Sequence, residues 1–137
     1  MSLTAITRKV SPAMNACELT HIGKKDIDPD KAATQHAKYE RLLGDLGCNV
    51  RSLPAEPDLP DSVFVEDTAV VLDEAAVMTR PGAVSRRPET ETIARALQED
   101  RHLLYIEEPG TLDGGDVLLI DRTLYCGRTS RSNRAGR

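Results

Sequence analysis

Three carboxylates fall within seven residues in the segment Leu59-Pro60-Asp61-Ser62-Val63-Phe64-Val65-Glu66-Asp67. Asp61, Glu66 and Asp67 so spaced repel one another unless a cation or a shared proton relieves them. A guanidinium is a matched guest, because its planar fork of donors pairs bidentately with carboxylates. A solvated acidic turn accounts for the same spacing more plainly. Two arginines answer the acids from corresponding loops: Arg86 in Ser85-Arg86-Arg87 and Arg131 in Ser130-Arg131-Ser132-Asn133. Convergent arginine forks hold an anionic group such as an α-carboxylate, so acids and arginines together describe a pocket for an arginine-like zwitterion. Each arginine alone reads equally as a surface charge. In a third segment, Leu112-Asp113-Gly114-Gly115-Asp116, two glycines would let the backbone approach a ligand closely beside two carboxylates at a strand entrance. Asp113 is there suited to bind an amidine or orient a base, although an ordinary turn has the same composition.

Other reactive groups are scattered. Cys17, Cys48 and Cys126 form no C-x-x-C pair and have no histidine at ligand spacing, so they read as reduced thiols rather than a disulfide framework or a metal site. His21, His36 and His102 read as surface or capping residues. A net charge of -4 argues against nucleic acid, which needs a basic stripe, and favours a small cationic ligand as the partner. No apolar run approaches the roughly 20 residues needed to cross a bilayer. The amino terminus lacks the basic-then-apolar plan of a signal peptide, so the expected location is cytoplasmic, away from membranes.

The elements that must position these groups are legible in the periodicity. At 39% hydrophobic with one Phe and no Trp, a core must be built from Val, Leu, Ile and Ala, which suits a sheet covered by helices. Alternation predicts a strand over 5–10, stopped by Ser11-Pro12. A helix is predicted over 30–46, capped by Asp28 or Asp30 and stopped by Gly47, with a strand over 48–53 after it. An apolar hairpin follows over 68–72 and 75–79, then a loop over 80–87. The next helix opens at Pro88-Glu89-Thr90-Glu91, whose acids complement the helix dipole, and a strand over 102–106 completes the set. A second hairpin over 116–120 and 123–127 begins the pattern again. Asp67 and Asp116 stand 49 positions apart, and the turn residues Asp73 and Asp121 stand 48 apart. Hairpin, loop, helix and strand recurring at this period predict an α/β array of ββαβ units rather than a doubly wound sheet. The loop over 128–137 is where a further helix should begin. Without that helix the last hairpin keeps an apolar face for further sequence or a second copy of the chain.

Taken in order, Pro60-Asp61-Ser62-Val63-Phe64-Val65-Glu66-Asp67, Thr79-Arg80-Pro81-Gly82-Ala83 with Ser85-Arg86-Arg87, and Leu112-Asp113-Gly114-Gly115-Asp116 resemble the dimethylarginine dimethylaminohydrolase family. The likeness extends to Thr20-His21, Lys24 and Pro109-Gly110-Thr111. The resemblance implies a pentein fold, a five-bladed α/β propeller of ββαβ units. About two and a half units would lie here, in a single incomplete catalytic domain over 1–137 that corresponds to the amino-terminal half. By position it implies Asp61, Glu66 and Asp67 as substrate-binding acids, Arg86 and Arg131 as substrate-binding arginines, and Asp113 as the catalytic acid beside a histidine. Leu19 matches a lid-loop contact at looser spacing. In that family a cysteine thiolate attacks the amidine carbon of an Nω-methylated arginine. The methylamine leaves from a covalent thiouronium and water then yields citrulline, with no metal or organic cofactor. The nucleophilic cysteine and the histidine of that pattern fall beyond Arg137. Cys126, in a strand beside Tyr125, reads as a packed thiol, and His102 stands at the wrong place. The expectation is therefore a truncated hydrolase that binds without turnover. The alternatives are an arginine deiminase-like or amidinotransferase-like relative and a non-catalytic guanidinium-binding half-module.

Overall fold

The computed structural model describes residues 3–19, 23 and 25–137; Thr20, His21 and Lys24, which carry part of the resemblance, lie outside the described residues. The chain divides into two compact units, Met1–Val65 and Glu66–Arg137, both mixed α/β.

In the first unit β1 (Thr4–Arg8) and β2 (Asn49–Leu53) pair in parallel, with Thr4 opposite Asn49 and Arg8 opposite Leu53. The crossover between them is α1 (Pro29–Asp45). Asp28 starts this helix by accepting from the backbone N–H groups of Asp30 and Lys31 at 3.0 and 3.1 Å, and Pro29 spends no donor in the first turn. Gly47 follows the helix at φ +91°, a left-handed conformation that favours glycine. Cap, helix and stop are as the spacing predicts. The first strand, by contrast, ends at Arg8 rather than Val10.

The seat of α1 on its sheet is polar, which the sequence did not suggest. No residue of α1 is fully buried. Instead Glu40 Oε1 accepts from Thr7 Oγ1 on β1 at 2.6 Å and from Ser52 Oγ on β2 at 2.7 Å. His36 Nε2 lies 3.3 Å from the same oxygen, within ion-pair reach but not aligned as a hydrogen bond. Burial pushes the Glu40 carboxyl up, yet the two hydroxyl donors and the neighbouring His36 outweigh it and hold the group below its ordinary value. A carboxylate depressed in the folded state stabilises above its unfolded pKa, and that stability is lost as the pH falls through the folded value. Glu40→Ala is expected to cost about 1–3 kcal/mol at neutral pH, because Thr7 and Ser52 lose their acceptor. Amide hydrogen exchange of β1 and β2 should accelerate in the variant at pH 7 and converge with the parent only once the pH has fallen through the lowered Glu40 value, where the carboxyl is protonated in both states. Equal exchange at pH 7 would show that the seat adds nothing.

The second unit contains the predicted repeat. Strands β3 (Ala69–Val71) and β4 (Ala75–Met78) form an antiparallel hairpin, α2 (Glu89–Leu97) packs on it, and β5 (His102–Tyr105) runs parallel to β4. Ala76, Met78, Ile93, Ala96, Leu97 and Leu112 form the buried apolar core among the described residues. This is one ββαβ unit. Strands β6 (Val117–Ile120) and β7 (Thr123–Cys126) form the next hairpin, with Asp121 at φ +52° in its turn. The segment after it continues as loop and one short 3-10 turn, Arg134–Gly136, rather than a helix. Asn133 ties it down by donating its N–H to the Thr111 carbonyl and accepting the Thr111 N–H on Oδ1, both at 3.0 Å. Leu118, Ile120 and Tyr125 stay about half exposed, while Val117, Leu124 and Cys126 line an open apolar cavity of about 390 Å³ together with Val70, Val77 and Tyr105.

Candidate active site

In the first unit Asp61 sits in the turn after Pro60 and is buried; its Oδ2 accepts the Glu18 N–H at 3.0 Å. That bond fixes the end of the segment on which Leu19, 40% exposed, directly follows Glu18.

Val65–Asp67 form a single 3-10 turn that leads into β3 of the second unit. Asp67 is held from several directions. Its Oδ2 accepts from Arg86 Nη1 at 2.6 Å, its Oδ1 from the Gly115 N–H at 2.9 Å, and its carbonyl from Thr79 Oγ1 at 2.7 Å. Arg86, only 3% exposed, ends the 3-10 turn Val84–Arg86 and presents its other edge to Glu89. Nε lies 3.2 Å from both Glu89 oxygens and Nη2 lies 2.9 Å from Oε2. Burial works against the Arg86 charge, but the hydrogen bonds and charges of Glu89 and Asp67 prevail and raise its pKa above the ordinary arginine value.

Glu89 is the site residue that sequence reasoning missed. Read only as an acid that complements the helix dipole, it is 2% exposed and paired with Arg86. A buried guanidinium must have its fork satisfied, and the i,i+3 spacing across Pro88 puts a carboxylate beneath it. That spacing was the available signal.

Glu66 is exposed, yet the protein around it partly desolvates its carboxyl and raises it above the usual range. The Asp67 charge adds to the rise, while the residue's own backbone N–H and the Arg86 charge oppose it. A carboxyl raised in this way is one that an incoming cation can draw back to the ionised form.

Arg131 contacts a different acid: its Nη1 lies 3.3 Å from Asp113 Oδ2. Asp113 is 5% exposed, accepts the Gly82 N–H on Oδ1 at 2.9 Å, and donates its own N–H to Ser132 Oγ at 3.1 Å. Ser132 Oγ and Thr129 Oγ1 both donate to Asp116 Oδ2. Each arginine loop thus closes on an acid just before its own hairpin, Arg86 on Asp67 and Arg131 on Asp113. The two pairings are not equivalent in the repeat, since the counterpart of Asp67 is Asp116, which accepts from Ser132 and Thr129 instead.

The glycines of Asp113-Gly114-Gly115-Asp116 permit a close approach, but to the chain itself. A Cβ at Gly114 would run into the Glu66 carbonyl oxygen, and one at Gly115 would come within 2.6 Å of Asp67 Oδ1. The motif therefore clamps the turn that carries two of the acids. Gly114→Ala is expected to destabilise this unit by about 1–3 kcal/mol, because the methyl meets backbone rather than a flexible side chain. An unchanged urea midpoint would refute that close packing. Cys126 lies at the end of β7 facing the apolar cavity, and His102 is exposed at the start of β5.

No protein-family model matches the chain. It is 42% identical over 136 residues to the N(G),N(G)-dimethylarginine dimethylaminohydrolase of Streptomyces coelicolor, covering 98% of this chain and 53% of that protein. It is 40% identical over 119 residues to the enzyme of the same name from Pseudomonas aeruginosa, covering 85% of this chain and 46% of that one. A solved cysteine-to-serine variant of the Pseudomonas aeruginosa enzyme, complexed with citrulline, matches the fold with a TM-score of 0.94 at 36% identity, over 99% of this chain and 54% of the other. The chain spans about half the length of the curated relatives it matches. Over that half, in sequence and in fold, it belongs to the dimethylarginine dimethylaminohydrolase family.

Proposed function

We propose that this chain is the substrate-recognising part of a hydrolase that converts dimethylarginine to citrulline and dimethylamine. The observation that carries the proposal is Asp67, a carboxylate fixed by Arg86 and by the Gly115 N–H beside a Glu66 whose carboxyl is poised to ionise against a cation. Asp61, Glu66 and Asp67 receive the guanidinium, whose two faces of N–H donors match carboxylate pairs. Arg86 and Arg131 serve the α-carboxylate end, Leu19 contributes a lid contact, and Asp113 orients the proton-transferring group. Attack by a cysteine thiolate on the amidine carbon forms a C–S bond, and collapse expels dimethylamine to leave a thiouronium. Water then releases citrulline and regenerates the thiol. None of the described cysteines is assigned as that nucleophile here, and the chemistry calls for no cofactor.

The ββαβ unit formed by β3, β4, α2 and β5, with β6 and β7 opening another, supports a five-bladed propeller as the parent fold. A cytoplasmic location is part of the proposal, supported by three cysteines that remain free thiols. No described helix is long and apolar enough to cross a membrane. The half-exposed Leu118, Ile120 and Tyr125 further support self-association of the isolated chain through its last hairpin. Light scattering is expected to give a mass that rises with concentration above one chain, and a constant monomer mass would refute this.

The function is tested by offering dimethylarginine and arginine separately to the whole product of the gene. Citrulline is expected from dimethylarginine and not from arginine; the opposite preference would sink the proposed substrate. The 137-residue chain alone is expected to release none. Turnover by it that is lost on alkylating Cys126 would show that the nucleophile had been misplaced.

A further inference from the structure

We propose that Glu89 is a positioning residue that reserves the negative charge of Asp67 for a cationic ligand. This rests on the guanidinium-binding role proposed above for Asp67. Left as a simple pair, Arg86 and Asp67 would neutralise one another, and a second guanidinium would meet little net attraction there. Glu89 changes that balance. It is 2% exposed and takes Nε and Nη2 of Arg86, whereas Asp67 takes Nη1. The three side chains sum to one negative charge, and the acid left to express it is the one at the turn. The side chain of Asp67 is 20% exposed, while that of Glu89 is 3% exposed. Glu89 also sets the direction of the fork. By holding Nε and Nη2 it turns Nη1 to Asp67 Oδ2, leaving Oδ1 on the Gly115 N–H. Its action on a ligand is therefore electrostatic and passes through Arg86 and Asp67.

The substitution Glu89→Gln separates charge from shape, since the amide oxygen can still accept from Arg86 while the negative charge is gone. The test uses the 137-residue chain and two probes that share a backbone but differ in side-chain charge: dimethylarginine, a cation, and citrulline, which is neutral. Binding of each is followed by nuclear magnetic resonance titration in parent and variant, and the Glu66 carboxyl is titrated without ligand. Glu89→Gln is expected to weaken dimethylarginine about tenfold more than citrulline, the order of effect of one buried charge acting across an intervening residue. It is also expected to lower the Glu66 pKa, because Arg86 then acts on it less compensated. A merely structural role would weaken both ligands alike and leave Glu66 where it was. That result in a folded variant overturns the proposal. If neither probe binds the parent chain while the Glu66 titration still moves, the guanidinium assignment fails and the reservation of charge for a ligand falls with it, although the coupling of Glu89 to the turn is established. Full rescue by Glu89→Asp of the cation preference, with Glu89→Gln deficient, would support the charge as the active property.

Discussion

Arg86→Ala is expected to remove about 3–5 kcal/mol from the stability of the second unit, the largest loss of any single substitution considered for this chain. The guanidinium is 3% exposed and sits between Glu89 and Asp67, whose side chains retain 3% and 20% of their surface. Truncating it leaves Glu89 buried with no cation, and a stranded buried charge costs more than the intact pair contributes. Glu89 would have to take up a proton to remain inside. The loss should accordingly be greatest at neutral pH and shrink as the pH falls through the raised carboxyl pKa that the stranded acid acquires. Arg86→Lys recovers only part, because an ammonium cannot present one edge to Glu89 and another donor to Asp67 in a fixed plane. Urea unfolding at two pH values would measure this. A loss below about 1 kcal/mol at neutral pH would mean that the network is solvated, as surface ion pairs are.

The second large effect falls on binding. Asp67→Asn is expected to weaken dimethylarginine by about two to five kcal/mol, roughly thirtyfold to several-thousandfold, with a much smaller effect on citrulline. The amide oxygen can still accept the Gly115 N–H, but the amide nitrogen then faces Arg86 Nη1 donor to donor, so the Arg86 contact is lost with the charge. Glu66 sets the pH dependence of the parent chain. Its carboxyl is raised by partial desolvation and then by Asp67, and a cation binds its ionised form better, so affinity for dimethylarginine should rise as the pH climbs through that raised value. In Asp67→Asn one cause of the rise is gone, and the dependence should move to lower pH. Calorimetric titration across pH 4 to about 8, a span that brackets ordinary and raised carboxyls, would reveal the displacement. Equal weakening of both ligands would instead indicate a collapsed turn.

Much of this was legible in the residues. Asp28 and Gly47 bracket α1 because a side-chain acceptor and a left-handed glycine are local requirements that spacing alone displays. The recurrence of Asp67 and Asp116 at strand entrances found the two hairpins, since a repeat is a comparison of the sequence with itself. What stayed hidden depends on contacts between distant segments. Glu40 lies on a helix face that reads as solvated, and only the parallel pairing of β1 with β2 brings Thr7 and Ser52 together beneath it. Glu89 resembles any acid in a first helical turn until the burial of Arg86 is known. Gly114 and Gly115 advertise a close approach without naming what approaches, and the answer, Glu66 and Asp67, stands nearly fifty positions away. Arg131 was read as a fork for an anionic group, and its contact with Asp113, eighteen positions back across the hairpin, is one that spacing does not display.

The proposed division of labour is that Asp61, Glu66 and Asp67 recognise the guanidinium while these 137 residues alone form no citrulline. Titrating the labelled 137-residue chain with dimethylarginine, while assaying the same sample for citrulline, tests both halves at once. Saturable shifts centred on Glu66, Asp67 and Gly115, with no citrulline formed, are predicted. Shifts absent from that turn, or citrulline accumulating with time, would contradict it.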